Sequence, residues 1–281
     1  MKYCDLHNHT KYSDGSSTPK ELCMEAKEKG LSAIAITDHN TVKGIFEFEE
    51  CAKAVGIEYA LGAEITTQYK GKEAHIIALF IDKASAPLVE AFTKEIQQIK
   101  RESNKKLAEN LTNGGYRVAF EELEKRFGNN INRSHFGTVL MEMGVVGSID
   151  EAFEGILKEG NGYYSIEKRV EALEAVEKLK AWGCVPVLAH PLLNFTSEEL
   201  EELLPNAKKN GLVGIEAYYS KFTNEQTEYL LCLCEKFGLI PSGGSDYHGK
   251  IKNNRELGSA RVPLSSFEAL KNIKEKNLNL R

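Results

Sequence analysis

Blocks of apolar and polar positions alternate along this chain in a way that predicts strands followed by helices. Residues 31–37 form a nearly continuous apolar run, which is typical of a strand buried on both faces. A predicted helix at residues 45–55 follows, and a second buried strand is predicted at residues 57–63. Later strand candidates lie at residues 185–189, 212–217 and 239–244. This alternation predicts a mostly parallel sheet built from β-α units.

Capping signals mark where several of the helices should begin and end. Thr18 and Glu21 form a capping box around Pro19, and Gly30 is expected to end that helix. The same signals recur in two later segments, with boxes at Thr196/Glu199 and Thr223/Gln226 and stops at Gly211 and Gly238. The helical assignments therefore rest on local chemistry as well as on periodicity.

Two segments depart from the alternation of strands and helices. A β-hairpin is predicted at residues 65–81, because a turn that contains Gly71 separates two β-prone stretches. From residue 94 to residue 164 the chain shows charged helical patterns and no strong strand; the patterns cover residues 94–113, 119–127, 134–143 and 149–158. We therefore expect one α/β domain from residues 1–95 and 165–281, with residues 96–164 as a helical insert that caps the active site.

The size and charge of the chain exclude several classes of protein. With 281 residues and 42% hydrophobic content, it can form one large barrel with a modest insert. The formal net charge of −5 argues against a broad basic face for duplex DNA, but it is compatible with a small anionic substrate. The six cysteines show neither zinc-ribbon spacing nor a dense disulfide pattern. No apolar run reaches the ~18 residues of a membrane span, so a cytoplasmic protein without a membrane partner is expected.

Six of the seven histidines lie in short clusters with acidic residues. Several clusters stand at the ends of predicted strands, as Asp38-His39 does after residues 31–37 and His190 does after residues 185–189. Catalytic groups in α/β barrels lie at such strand ends, so these side chains are expected to meet at one end of a closed barrel. Imidazole and carboxylate together suit Zn, Mn and Fe. The distribution predicts a metal-dependent hydrolase.

The clusters, taken in order, resemble the motifs of the PHP (polymerase and histidinol phosphatase) family of metal-dependent phosphoesterases. The resemblance covers the chain to about residue 250 and rests on Asp5-Leu6-His7-Asn8-His9-Thr10, Ser13-Asp14-Gly15, Ile36-Thr37-Asp38-His39-Asn40, Gly62-Ala63-Glu64, His75, Ala189-His190-Pro191 and Gly244-Ser245-Asp246-Tyr247-His248. It implies an α/β fold, a distorted seven-stranded (β/α) barrel with an inserted small helical domain. It also implies up to three divalent metal ions, Mn, Zn or Fe.

The resemblance further implies a metal ligand at each of nine positions. They divide among three ions: His7, His9, Glu64 and Asp246 for the first, Glu64, His75 and His190 for the second, and Asp14, His39 and His248 for the third. Glu64 would be the bridging carboxylate. The group expected to be catalytic comprises Asp246, His190 and His248. The proton donor for the leaving group could be either a metal-bound water or Asp246, and the sequence does not decide between them.

Four further residues near these clusters receive supporting roles. Asp5 and Asp38 adjoin ligating histidines and are interpreted as acceptors that orient imidazole rings, with ordinary strand-end aspartates as the alternative. Glu216 and Tyr218 end a predicted strand and are interpreted as lining the pocket, without a catalytic role.

The insert contributes two candidate substrate-binding residues. Arg133 and His135 open a predicted helix, where the helix N-terminus attracts anions and an arginine can hold phosphate through two N–H groups. In the PHP subgroup with such an insert, an arginine and a histidine at the matching place face the phosphate, although Ser134 stands where that subgroup often has proline. The alternative is a solvated arginine and a packed histidine.

These features together predict a phosphatase that acts on a small phosphorylated metabolite. Paired cations ~3.5–4 Å apart would generate a bridging hydroxide for in-line attack on phosphorus. The insert-bearing subgroup includes nucleoside 3′,5′-bisphosphate phosphatases and enzymes that trim short RNA from its 5′ end, so a nucleotide or short 5′-phosphorylated RNA is favoured as substrate.

Three alternatives to this function are weaker. The first alternative is a histidinol phosphatase, a related enzyme whose substrate is histidinol phosphate, but the helical insert argues against this function. A non-catalytic metal-binding module would be expected to lack ligands, whereas all nine positions are filled. An amidohydrolase would normally have a bridging lysine or another order of carboxylates.

Overall fold

The computed structural model describes residues 2–128, 131–165, 169–251 and 255–279. The chain divides into two compact units. The first unit consists of Met1–Thr93 and Val170–Arg281, and the second unit consists of Lys94–Arg169.

The strands of the first unit form a single sheet. In the described residues they are β1 (Tyr3–Asp5), β2 (Ala33–Ile36), β3 (Glu58–Tyr69), β4 (Lys72–Leu79), β5 (Val185–Leu188), β6 (Gly214–Tyr219), β7 (Ile240–Gly244) and β8 (Val262–Pro263). Their order in the sheet is β7-β6-β5-β4-β3-β2-β1-β8. Neighbours from β1 to β3 and from β5 to β7 are parallel, whereas β4 is antiparallel to both β3 and β5. The predicted hairpin is therefore β3–β4.

The two ends of this sheet approach each other near β1 and β7, so that the sheet forms a nearly closed barrel. The backbone N–H of Leu6 donates to the carbonyl of Gly243 at 3.1 Å, and Asn8 pairs with Tyr247 in a parallel bridge. Gly244 permits this approach, because a Cβ at that position would overlap the Cβ of His7. The prediction of a distorted seven-stranded α/β barrel is confirmed, with β8 as a two-residue addition antiparallel to β1.

Helices of the first unit follow most of its strands. They are α1 (Pro19–Glu28), α2 (Ile45–Val55), the start of α3 (Ala86–Asn113), α7 (Ala172–Ala181), α8 (Ser197–Asn210), α9 (Asn224–Phe237) and α10 (Leu264–Asn279). The three predicted capping boxes are present at Thr18, Thr196 and Thr223. Among the described helices, none has both the length and the apolar character needed to cross a membrane.

The second unit is helical and has an apolar core of its own. It contains the rest of α3 together with α4 (Phe120–Phe127), α5 (Arg133–Glu142) and α6 (Ile149–Glu154). Leu111, Phe136 and Leu140 are fully buried in this core. Because these side chains come from different helices, their burial packs the helices of this unit against each other.

Asp82 connects the loop between β4 and α3 to the C-terminal helix α10. Its carboxylate accepts hydrogen bonds from the backbone N–H of Ser85 at 2.8 Å and from Nζ of Lys274 at 2.6 Å. Partial burial acts to raise the pKa of Asp82, but the hydrogen bonds from Lys274 and Ser85 lower it to about 2. Because this pKa lies below the unfolded value, Asp82 stabilises the fold at neutral pH, and that stabilisation is lost as the pH falls from about 4 through about 2.

We expect Asp82→Asn to lower the free energy of unfolding at pH 7 by about 1 kcal/mol, a figure that allows for the partial exposure of this carboxylate. The difference from the wild type should shrink as the pH approaches 2. Denaturant unfolding of both proteins at the two pH values measures it, with the exposed Glu256→Gln as the matched control. Equal stability of Asp82→Asn and the wild type at pH 7 would contradict the expectation.

Candidate metal centre

All nine residues of the predicted ligand set lie in the first unit and converge at one end of its barrel. Parallel strands of this barrel share that end, and the early part of the antiparallel strand β4 meets them there. The side chains come from β3 and β4, or from the segments that follow β1, β2, β5 and β7: His7, His9, Asp14, His39, Glu64, His75, His190, Asp246 and His248. His39 and His75 are half-buried, and the other seven are buried.

Glu64 stands at the centre of this cluster. The distances from its carboxylate oxygens to ring nitrogens are 2.7 Å for His75, 2.9 Å for His190 and His39, 3.2 Å for His7 and 3.3 Å for His9. Burial acts to raise the pKa of the Glu64 carboxyl, but the surrounding histidines, His39 foremost, lower it well below its usual range. Glu64 is therefore an ionised carboxylate that faces several imidazoles, as a bridging ligand would.

Asp246 approaches the cluster from the end of β7. Its Oδ1 lies 3.1 Å from Nε2 of His9 and 3.4 Å from Nδ1 of His248, while its Oδ2 accepts hydrogen bonds from the Tyr219 hydroxyl, at 2.8 Å, and from Arg255. Burial acts to raise the pKa of Asp246, but Arg255 and His248 lower it well below its usual range. A carboxyl group with so low a pKa suits metal binding and is a poor proton donor at neutral pH.

Asp14 marks a third part of the cluster. Its Oδ1 lies 3.3 Å from Nε2 of His248, 3.8 Å from Nε2 of His39 and 3.9 Å from Nδ1 of His9. Burial, together with the neighbouring His248 and His39, lowers the pKa of His9 well below its usual range. The His9 ring is therefore neutral, which is the state in which imidazole binds a metal.

Donor atoms of the cluster fall into groups that could each hold one ion. The four groups are His9-Asp14-His39-His248, His7-His9-Asp246, His7-Glu64-His190 and His39-Glu64-His75. Two donors about 2.1 Å from one ion would lie about 3.0–3.4 Å apart, close to the distances found here. The expected division among three ions placed His9 and Asp14 on different ions and placed His75 with His190. In the structure His9 also groups with Asp14, and His75 groups with His39. The number of ions stays a prediction.

Buried polar atoms in the cluster fit divalent cations. Nε2 of His7 and Oε2 of Glu64 face each other at 3.2 Å, and within the described part of the chain neither has a hydrogen-bond partner. An unsatisfied buried polar atom costs about 1–3 kcal/mol, and coordination to a cation would remove that cost. Imidazole and carboxylate donors together suit Zn, Mn and Fe.

Asp5 and Asp38 hold loops rather than imidazole rings, which corrects the role expected from the sequence. Asp5 accepts hydrogen bonds from the Ser245 hydroxyl at 2.6 Å and from the backbone N–H of Gly258 at 2.8 Å. Asp38 accepts from the hydroxyls of Thr10 at 2.7 Å and Ser13 at 2.6 Å. Proximity in sequence to His7 and His39 therefore does not show that either carboxylate faces an imidazole ring, because the nearest partners of both are hydroxyl and backbone N–H groups.

Glu216 makes the ring contact that the sequence analysis missed. One carboxylate oxygen lies 3.0 Å from Nδ1 of His7, and the other accepts from the backbone N–H of His190 at 2.7 Å. The register of β6 against β7 shifts between Glu216 and Tyr218, so a β-bulge interrupts the alternation of side chains. Tyr219 therefore reaches the site with its hydroxyl, while Tyr218, which was expected to line the pocket, packs against the apolar core. The acidic residue within an apolar strand was the only signal in the sequence.

Arg133 and His135 occupy the first turn of α5 in the second unit. The Arg133 guanidinium lies 4.4 Å from the ring centre of Tyr164 and 5.2 Å from that of Phe153. His135 stacks on Phe127, and its Nδ1 accepts from the backbone N–H of Asn132 at 3.0 Å. In the neutral ring the proton is then on Nε2. The assignment of both residues to substrate binding stays a prediction.

Comparisons with known proteins agree with this fold and identify the family. The PHP domain family model matches residues 5–181. A 5′-3′ exoribonuclease from Haemophilus influenzae is 31% identical over 94% of this chain and 98% of that protein. A 3′,5′-nucleoside bisphosphate phosphatase from Chromobacterium violaceum is 27% identical over 92% of this chain and 91% of that protein. Among solved structures, a protein assigned as a metal-dependent phosphoesterase from Bifidobacterium adolescentis superposes with a TM-score of 0.85, 26% identity, and coverage of 97% and 96% of the two chains.

The chain belongs to the PHP domain family, because the family model matches more than half of it and a relative of 31% identity aligns over nearly its whole length. It is a metal-dependent phosphoesterase and thus a hydrolase. The resemblance drawn from the motifs is confirmed.

Proposed function

We propose that this protein hydrolyses a phosphoester of a nucleotide, either a nucleoside 3′,5′-bisphosphate or a short 5′-phosphorylated RNA. The observation that carries the proposal is the convergence of nine imidazole and carboxylate side chains, with Glu64 at their centre as one of the nine. Relatives named for nucleoside bisphosphates and for RNA, both aligned over more than nine-tenths of this chain, favour a nucleotide over other phosphorylated metabolites.

The chemistry divides between the ions and the protein. Divalent cations in such a site supply a hydroxide nucleophile at neutral pH and neutralise charge on the phosphoryl oxygens. Glu64 and Asp246 contribute negative charge that balances the cations, and His9 contributes a neutral nitrogen donor. In this proposal Arg133 and His135 bind the second phosphate of the substrate.

A substrate comparison tests the proposal. Purified, Mn²⁺-loaded protein is assayed with adenosine 3′,5′-bisphosphate, histidinol phosphate and a short 5′-phosphorylated RNA, and released phosphate and nucleotides are measured by chromatography. We expect turnover of a nucleotide substrate and little turnover of histidinol phosphate. Faster turnover of histidinol phosphate would replace the nucleotide assignment, and the absence of hydrolysis of any phosphoester would overturn the proposed function.

Arg133→Ala should weaken binding of a substrate that carries two phosphates. Loss of a charge-assisted hydrogen bond costs about 1.5–3 kcal/mol, so we expect KM for adenosine 3′,5′-bisphosphate to rise about 10- to 100-fold. Hydrolysis of p-nitrophenyl phosphate, which has one phosphate, should change little. Arg126→Ala, in the same unit and paired with Glu142 on the surface, is the matched control. Equal KM values in Arg133→Ala and the wild type would exclude Arg133 from substrate binding.

A further inference from the structure

Glu216 lies on β6 beside the ligand cluster, and its two carboxylate oxygens have different partners. Oε1 is 3.0 Å from Nδ1 of His7, and Oε2 accepts from the backbone N–H of His190 at 2.7 Å. Glu216 and His7 are fully buried, so solvent does not compete for these contacts. The residue is outside the predicted ligand set and has no part in the chemistry proposed above.

The contact with His7 determines where that ring carries its proton. A carboxylate only accepts hydrogen bonds, so Nδ1 of His7 must donate to Glu216. In the neutral ring the lone pair is then on Nε2, which faces Oε2 of Glu64 at 3.2 Å. His7, Glu64 and His190 form one of the groups that could hold a single ion. Glu216 therefore selects the tautomer of His7 that can bind a metal.

The contact with His190 supports an unusual backbone conformation. His190 has φ of 28° and ψ of 54°, in a region that costs residues other than glycine about 1–3 kcal/mol. This conformation places Nε2 of His190 2.9 Å from Oε1 of Glu64. The bond from the His190 N–H to Glu216 offsets part of the strain, because it satisfies a buried backbone donor in that conformation.

We propose that Glu216 is a positioning residue that prepares two ligands of the same ion, by setting the proton of His7 and the backbone of His190. The inference rests on the proposed function, since it requires a metal at His7, Glu64 and His190. One buried carboxylate thus links the segment after β1 to the segment after β5.

Glu216→Gln separates the geometry of this side chain from its chemistry. The substitution keeps the size of the side chain but leaves one accepting oxygen and one donating amide nitrogen. The backbone N–H of His190 can only donate, so the amide oxygen must face it. The amide nitrogen then faces His7, whose Nδ1 must accept while Nε2 takes the proton. That proton occupies the atom that should bind the metal.

We expect Glu216→Gln to bind Mn²⁺ about 10- to 100-fold more weakly than the wild type. The affinity is measured by titrating metal-free protein and following free Mn²⁺ by electron paramagnetic resonance. In Zn²⁺-treated samples, nitrogen NMR of labelled histidine rings should show the His7 proton on Nδ1 in the wild type and on Nε2 in Glu216→Gln. A purely structural role would not move that proton.

Ser242→Ala is the matched control. Ser242 pairs with Glu216 across β6 and β7, is buried, and its hydroxyl has no hydrogen-bond partner in the described residues. We expect this variant to keep the Mn²⁺ affinity of the wild type, because it changes the barrel interior at the same level without touching a ligand.

The possible results separate this inference from the proposed function. Equal Mn²⁺ affinity of Glu216→Gln and the wild type, with the His7 proton unmoved, would overturn the inference and leave the metal centre intact. A wild type that binds no Mn²⁺ would overturn the metal centre itself. Should Glu216→Gln fail to fold, Glu216→Asp replaces it, because the shorter carboxylate can keep only one of the two contacts; an unchanged Mn²⁺ affinity in that variant would also overturn the inference.

Discussion

Glu64→Gln is expected to lower kcat for phosphoester hydrolysis by about a thousandfold or more, which corresponds to roughly 4 kcal/mol of transition-state stabilisation. The physical reason is the central position of this carboxylate, which lies within 3.3 Å of ring nitrogens from five histidines. A neutral amide could not balance the charge of the cations that Glu64 would hold, and only its oxygen could bind a cation. Steady-state kinetics with Mn²⁺ at saturating substrate measure the effect.

Glu58→Gln provides the matched control for this prediction. Glu58 lies at the start of the same strand, pairs with Lys271 and is exposed, so its substitution should leave kcat unchanged. Circular dichroism of both variants checks that the barrel is folded. If Glu64→Gln kept more than about a tenth of the wild-type kcat while folded, a bridging role for Glu64 would be wrong.

Removal of the metal ions is expected to abolish hydrolysis and also to lower the thermal stability of the protein. Without cations, buried atoms such as Nε2 of His7 and Oε2 of Glu64 lack hydrogen-bond partners in the described residues. A ligand that binds only the folded state stabilises it by about 2.7 kcal/mol at a hundred times its Kd. For a chain of this size, that is a rise of several degrees in Tm.

The measurement is a pair of assays on the same chelated sample. Activity and Tm are recorded after treatment with a chelator, and again after Mn²⁺, Zn²⁺ or Fe²⁺ is added in excess. We expect both to recover with at least one of the three ions and neither to recover with Ca²⁺, which prefers oxygen ligands. Full activity in a sample whose measured metal content is near zero would show that the centre does not act through metal ions.

Local patterns in the sequence predicted most elements of the barrel with small errors. Helix α2 has the predicted bounds, and α8 and α9 begin at their capping boxes and end before Gly211 and Gly238. These signals work because capping and apolar periodicity depend on residues close in sequence. The two-residue strand β8 was missed, since so short a segment has no periodicity to detect. Helix α3 begins at Ala86, eight residues before the predicted start at residue 94.

The site divides in the same way between local signals and contacts that only the folded chain creates. The clusters His7/His9 and Asp246/His248 were visible because their residues are neighbours in sequence. The roles of Asp5 and Asp38 were misjudged, because adjacency along a strand does not say which group a carboxylate faces. Glu216 was undervalued, because its partners are 209 and 26 positions away.

The sequence by itself determined the alternation of strands and helices, the family, and the candidate metal ligands, since each of these depends on short motifs or on local periodicity. Tertiary structure alone decided that β4 runs antiparallel between β3 and β5, which brings His75 within 2.7 Å of Glu64. It also decided that a bulge in β6 after Glu216 brings the Tyr219 hydroxyl to the same cluster that Glu216 contacts. Both outcomes depend on the register between strands, which is set by the packing of the closed barrel rather than by any single segment.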